Sequence, residues 1–537
     1  MTSVFRNGRI FAPSQSSAEP GSEFTSGMIV KNGRISFVGN LDDTKIPHDS
    51  TIIDLENRIV LPGFIDAHVH ILKYGHSLQK VNLINCTSLE QVRETISSYA
   101  KENPSVPRIL CQGWIQSSTK GIALASMLDD LDPRPIFIDS FDLHSVWCNS
   151  AALDEMHVHS APEPPGGTIH RDENGRASGL LDESALVDLV WPHLESTYTA
   201  QDKAAALQAA VTSYTASGYT GVVDMAMNEH TWELLDQFRR DKQFPFHIAA
   251  HWLVPFSENQ QTNLQHVDRA IHLRQKFKDS AFCIAGIKLI CDGTADGCTA
   301  ALSHPYNGRS HAGDPIWPTD MLREVAQRAD SAGLQCAIHA IGDKAINQAI
   351  NVLSEVGTPG RRHRIEHLEL ANSEDAKRLG QLGITASVQP VHSDPALFKA
   401  WPSLIGPERC KRAFAYKEFL DGGAPLAIGT DAPTARHFPF PNLYNATTRR
   451  SALEPETGHT VNPEFAISLV EGMTAATKGA AYARFADSWT GALRPGLSAD
   501  FVVVDMHWAP DRLLEAVVCQ TWYQGRMVYD MKDASTA

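Results

Sequence analysis

The sequence predicts an α/β protein: a closed barrel of parallel strands served by helical crossovers, with a small β domain assembled from both ends of the chain. Three observations carry this. Through the middle of the chain, strand-like apolar runs alternate with helical stretches, the pattern of a parallel sheet with crossovers. Residues 1–60 and 485–537 instead carry short apolar runs broken by turns. A length of 537 residues exceeds one ordinary core and suits a barrel of about 250 residues or more with insertions and a satellite domain.

The N-terminal runs begin at Ser3, Met28, Arg34 and Thr51, and Asn7-Gly8 and Asn32-Gly33 read as hairpin turns, so antiparallel β-structure is expected. Runs at 499–505 and 519–529 have the same character. Neither end buries a core by itself, so the two are expected to meet. Eight strands are predicted between them, at 64–70, 220–225, 246–252, 284–290, 335–339, 364–367, 385–389 and 426–431. Helices fit at 202–217, 319–332, 343–356 and 373–382. Two connections are too long to be plain: 71–200 and 291–318. Both follow strands and would lie at the C-terminal face, where barrels keep their active sites.

Composition narrows the function classes. Hydrophobic content of 43% and a net charge of −15 without a basic block disfavour a nucleic-acid or anionic-membrane partner. No run of 18 apolar residues occurs, and the first 25 residues lack the apolar core of a signal peptide, so a cytoplasmic protein is expected. Nine cysteines without C-x-x-C spacing suit reduced thiols, which leaves the sequons at Asn85 and Asn445 without a glycosylation role. The final Ser-Thr-Ala is no peroxisomal address.

The chemistry concentrates at predicted strand ends. The run Leu61–His70 ends in His68 and His70, which the two-residue strand period places on one side, and convergent neutral imidazoles are transition-metal ligands. Strand four carries Lys288, strand five ends in His339, strand six in Glu366-His367 and strand eight in Thr430-Asp431. These groups would ring one rim.

The motifs PGFIDAHVH (62–70), GIKLICDG (286–293), AIHAIGD (337–343), RIEH (364–367) and GTDAP (429–433) resemble the metal-dependent amidohydrolase superfamily. More narrowly, with the segments 142–150 and 491–500, the chain is similar to the YtcJ-type branch that includes N-substituted formamide deformylases. The resemblance spans nearly the whole chain. It implies a distorted (β/α)8 TIM barrel as a metal-dependent hydrolase domain over 61–484, with a large insertion after the first barrel strand. It also implies a small β-sandwich domain from residues 1–60 and 485–537.

The resemblance further implies roles. His68 and His70 would hold a buried metal, His339 and His367 a more exposed one, and Asp431 would ligate and act as general base. Lys288 would bridge the metals, which an ammonium cannot do, so carbamylation to a two-oxygen anion is expected. The alternative is a Lys288 paired with Asp292 or Asp296, which favours a single metal. Zinc, one or two ions per subunit, would supply an activated hydroxide near neutral pH. The expected reaction is hydrolysis of a C–N bond, an amide or N-formyl group, in a small organic substrate. Decarboxylation or deamination on the same site is the alternative, and a non-catalytic binding or regulatory protein a more distant one. A homodimer is compatible with this reading.

Other residues are candidates by position. His144 lies in the first insertion and is a candidate to touch substrate or stabilise an oxyanion, with a structural histidine as the alternative; His392 follows strand seven and is expected to meet substrate or to support a ligand residue. Trp114, Trp147 and Trp317 are candidates for lining an apolar pocket. Asp343 is expected to cap the helix it begins or to orient a ligand histidine, and Glu366 to pair behind the sheet. The glycine-rich 292–297 stretch lacks the Gly-Lys-Ser/Thr ending of a phosphate loop.

Overall fold

The computed structural model describes residues 2–13, 23–141, 143–164 and 167–534. The Ser-rich acidic stretch at 14–22, Asp142 and the final Ser-Thr-Ala lie outside them. The chain divides into two compact units, residues 1–71 with 211–537, and residues 72–210.

The first unit holds an eight-stranded sheet whose strands lie side by side in sequence order and pair in parallel. They are β1 (Phe64–Val69), β2 (Tyr219–Met227), β3 (His247–Leu253), β4 (Phe282–Ile290), β5 (Gln335–Ala340), β6 (Arg364–His367), β7 (Thr385–Val388) and β8 (Leu426–Ile428). Crossover helices include α1 (Ala200–Ala216), α2 (Glu229–Asp241), α3 (Gln260–Lys276), α4 (Thr319–Ser331), α5 (Asp343–Val356) and α6 (Ser373–Leu382). All eight expected strands are present, which makes the sheet a (β/α)8 barrel.

The seam between β8 and β1 is the distorted part. A single bridge joins Val69 to Ala432, with the His70 N–H donating to the Ala432 carbonyl at 3.0 Å and the Asp431 N–H to that of His68 at 2.7 Å. Gly429 permits this approach. A Cβ there would stand 2.5 Å from the His68 backbone nitrogen, closer than any side chain tolerates.

Strands from both ends of the chain share a six-stranded sheet, in the order Arg526–Asp530, Val517–Tyr523, Phe501–Asp505, Ile59–Pro62, Arg9–Phe11, Phe24–Thr25. A four-stranded sheet orders Arg34–Gly39, Gly27–Lys31, Thr2–Arg6 and Thr51–Asp54. One core cluster takes Phe5, Met28 and Ile35 from the second sheet and Ile10, Val60 and Phe501 from the first. Burying each such large side chain contributes about 1.5–3 kcal/mol, and Phe5 also meets Phe501 edge-on at 5.0 Å.

Two expectations for this region fail. Asn32-Gly33 does close a hairpin between Lys31 and Arg34, with φ of 51° and 78° as a type I′ turn requires. Asn7-Gly8 does not. Gly8 lacks a positive φ, and the chain passes there from the four-stranded sheet to the six-stranded one. The sheets are also mixed rather than antiparallel, since Thr51–Asp54 pairs in parallel with Thr2–Arg6 and Ile59–Pro62 with Arg9–Phe11.

The second unit has its own six-stranded sheet, ordered Gly167–Arg171, Ala177–Glu183, Ser145–Cys148, Ile136–Ser140, Ile109–Trp114, Val81–Asn82. Trp114 and Trp147 are fully buried in one of its core clusters, ring centroids 5.3 Å apart. They fill a core instead of lining a pocket. Trp317, in the first unit, is likewise buried, edge-on to Phe256.

Candidate metal centre

Six of the residues singled out from the sequence belong to the first unit and gather at the barrel's C-terminal rim. His68 Nε2 lies 3.4 Å and His70 Nε2 3.2 Å from the same oxygen, Asp431 Oδ1. The His367 ring is 5.1 Å from that of His68 and 4.4 Å from that of His339, centroid to centroid. One ligand atom each from His68, His367 and Asp431 lies within 4.8 Å of the others. Lys288 is buried on β4.

Backbone geometry explains how neighbours in sequence come to share this space. Strand period two would send Glu366 and His367 to opposite faces. His367 and Leu368 instead adopt φ of 75° and 55°, so β6 ends in a left-handed turn that redirects the His367 side chain. Asp431, at φ 59°, turns out of the chain three residues beyond β8 in the same way.

Glu366 is a correction to the sequence reading. It does not pair behind the sheet: its Oε2 sits 2.7 Å from His68 Nδ1, and β7 and β8 lie between β6 and β1, so the contact crosses the barrel interior. Arg364 donates through Nε to Glu366 Oε1 at 2.6 Å and through a terminal nitrogen to the Ala67 carbonyl at 2.7 Å. Burial opposes the Glu366 charge, and the Arg364 guanidinium outweighs it, holding the carboxyl well below the usual range. An ionised carboxylate on Nδ1 fixes the tautomer that leaves Nε2 of His68 free toward Asp431.

Burial keeps the imidazoles neutral, pushing His68 down to about 4, His339 to about 3 and His367 well below its usual value, with Lys288 adding to each. Neutral imidazole is the form that binds metals. Burial also opposes the Asp431 charge, but His68 and His70 hold the carboxyl well below the usual range. His367 Nδ1 and Asp431 Oδ1 are buried without a hydrogen bond. Clustered imidazoles and a carboxylate with buried atoms left out of hydrogen bonds are what a bound cation satisfies, so the donor set fits a divalent metal.

Lys288 has neither of the partners considered for it. Asp292 accepts N–H groups of Ala301, Ile341 and Gly342 at 2.8–3.0 Å, and Asp296 accepts the Trp401 indole N–H. Among the described residues no carboxylate lies within 4 Å of Lys288. Burial lowers its pKa against the pull of Glu366 and Asp431.

The remaining candidates separate. His392 Nε2 meets Thr434 Oγ1 at 3.2 Å, and its ring is parallel to that of His367 at 6.0 Å. His144 belongs to the second unit, its Nδ1 3.1 Å from Glu183 Oε2. Asp343 neither caps α5 nor reaches a histidine; it accepts the Ser303 N–H and hydroxyl. Sequence reasoning missed Asp66, which accepts from the Tyr214 hydroxyl at 2.9 Å, the Thr430 N–H at 2.9 Å and the His68 N–H at 3.2 Å. It ties β1 to the Asp431 loop. Gln389, 3.3 Å from His68 Nδ1, was also missed.

Comparison with known proteins agrees with this architecture. The amidohydrolase family model matches residues 51–529. The chain is 30% identical to Protein LONG AFTER FAR-RED 3 of Arabidopsis thaliana, over 97% of this chain and 91% of the relative. It is 26% identical to the putative amidohydrolase YtcJ of Bacillus subtilis (94% and 96% covered) and 25% identical to the N-substituted formamide deformylase of Arthrobacter pascens (94% of each). The fold is that of an uncharacterized metal-dependent hydrolase from Pyrococcus horikoshii, TM-score 0.76 at 23% identity, covering 95% of this chain and 99% of that one. The chain therefore belongs to the amidohydrolase family, in the branch of YtcJ and the formamide deformylase.

Proposed function

We propose that this hydrolase cleaves the C–N bond of an amide or N-formyl group in a small organic molecule, at a zinc centre held by His68, His70, Lys288, His339, His367 and Asp431. One observation carries the reading: one ligand atom each from buried His68, His367 and Asp431 lies within 4.8 Å of the others. A divalent cation bound there supplies Lewis acidity, polarising a carbonyl and acidifying water.

The chain's own residues do the rest. Asp431, acceptor-only when ionised, takes the proton from the attacking water and delivers it to the departing amine. Glu366 holds His68 in register. Lys288, whose charge burial disfavours, would add as its free amine to carbon dioxide, releasing a proton and leaving a carbamate with two oxygens. That anion would make the centre binuclear. For His392, beside His367, and for His144 we keep the role of candidate contacts at this site. The terminal sheets we read as a β-sandwich, the protein as cytoplasmic, and a homodimer as compatible with it. Among the described residues no helix is long and apolar enough to cross a membrane.

The test is a screen of N-formyl and N-acyl amines with the zinc-loaded protein, scoring formate or carboxylate release against amine release. Turnover of such substrates is expected. Release of carbon dioxide from carboxylates, or ammonia from ring amines, without amide turnover would overturn the C–N assignment.

A further inference from the structure

The left-handed turn that swings His367 inward also carries Glu369, two residues later, to a nearly buried position beside His392. One ligand atom each from His367, Glu369 and His392 lies within 4.8 Å of the others. We infer that the more exposed of the two cations draws ligands from Glu369 and His392 in addition to His367. This rests on the metal-centre reading above and adds two residues to it.

Hydrogen bonding orients the His392 ring. The Thr434 hydroxyl donates to the Asp431 carbonyl at 2.6 Å, so toward His392 it can only accept. His392 Nε2 therefore donates to it, at 3.2 Å, which leaves Nδ1 as the ring nitrogen turned to the rest of the cluster. Nδ1 lies 3.6 Å from Glu369 Oε1. Among the described residues His392 is the one ion-pair neighbour of the Glu369 carboxylate. His367 supplies the third ligand atom. Three ligand groups thus converge on one point. Two imidazoles and a carboxylate suit zinc, cobalt or manganese better than magnesium or calcium, which prefer all-oxygen surroundings.

Cobalt makes the inference countable. The protein is stripped, loaded with Co²⁺, freed of excess and analysed for metal per subunit, as wild type, Glu369→Gln, His392→Asn and His68→Ala, with thermal unfolding confirming that each is folded. The wild type is expected to hold two equivalents, and Glu369→Gln and His392→Asn one each, with the absorption spectrum of the retained ion shared by both. His68→Ala should lose the other ion and show a different residual spectrum. A wild-type count of two that survives both substitutions, or a wild-type count of one, overturns the inference alone. No bound cobalt in the wild type overturns it together with the reading on which it rests.

Discussion

Glu366 Oε2 lies 2.7 Å from His68 Nδ1, across a barrel interior from which water is excluded at both residues. The carboxylate neither reaches the rim nor touches the other donor atoms. It fixes which nitrogen of His68 is available there. Replacing it by an amide keeps the volume but lets the contact form with either tautomer.

Glu366→Gln should therefore weaken metal binding about 10–100-fold, the usual effect of removing the group that orients a ligand histidine. Competition titration with a chelator measures it. Unchanged affinity would show that His68 needs no such partner.

Asp431→Asn removes the proton acceptor while keeping the side chain's shape. Turnover should fall by about 10²- to 10⁴-fold with the melting temperature unchanged. Activity within a few-fold of wild type would assign the proton transfer to another group.

Lys288→Ala should be strongly impaired and partly restored by acetate or propionate, whose two oxygens can stand where the carbamate would. An impaired variant that short carboxylic acids do not help, or an unimpaired one, would rule out the bridge.

Gly429→Ala tests the seam. The added methyl meets the His68 backbone at 2.5 Å, so β8 must shift away from β1. A loss of about 1–3 kcal/mol is expected, typical of overpacking, and is read by denaturant unfolding. An unchanged midpoint would mean that the seam is looser than its spacing indicates.

Much of this arrangement was legible in the sequence because it follows from period and position. The eight strands announce themselves as apolar runs, and His68, Lys288, His339, His367 and Asp431 each fall at or near a strand end. What failed were places where the backbone leaves the regular period. Glu366 was assigned to the far side because His367 was assumed to follow the pleat, and its φ of 75° cannot be read from residue type. Asn7-Gly8 has the composition of a hairpin turn, but Gly8 answers to Leu55, which a Cβ would meet at 2.6 Å. The tryptophans of the insertion, candidates for a pocket wall or for ordinary packing, prove to be packed because residues 81–183 build a sheet and core of their own where long connections were expected.

The account turns on a cation shared by residues of β1 and its neighbours across the barrel. Elemental analysis of metal per subunit, wild type beside His68→Ala at matched folding, tests that most directly. The account predicts at least one equivalent in the wild type and the loss of one in the variant, together with its activity. A fully active His68→Ala with an undiminished metal count would contradict it.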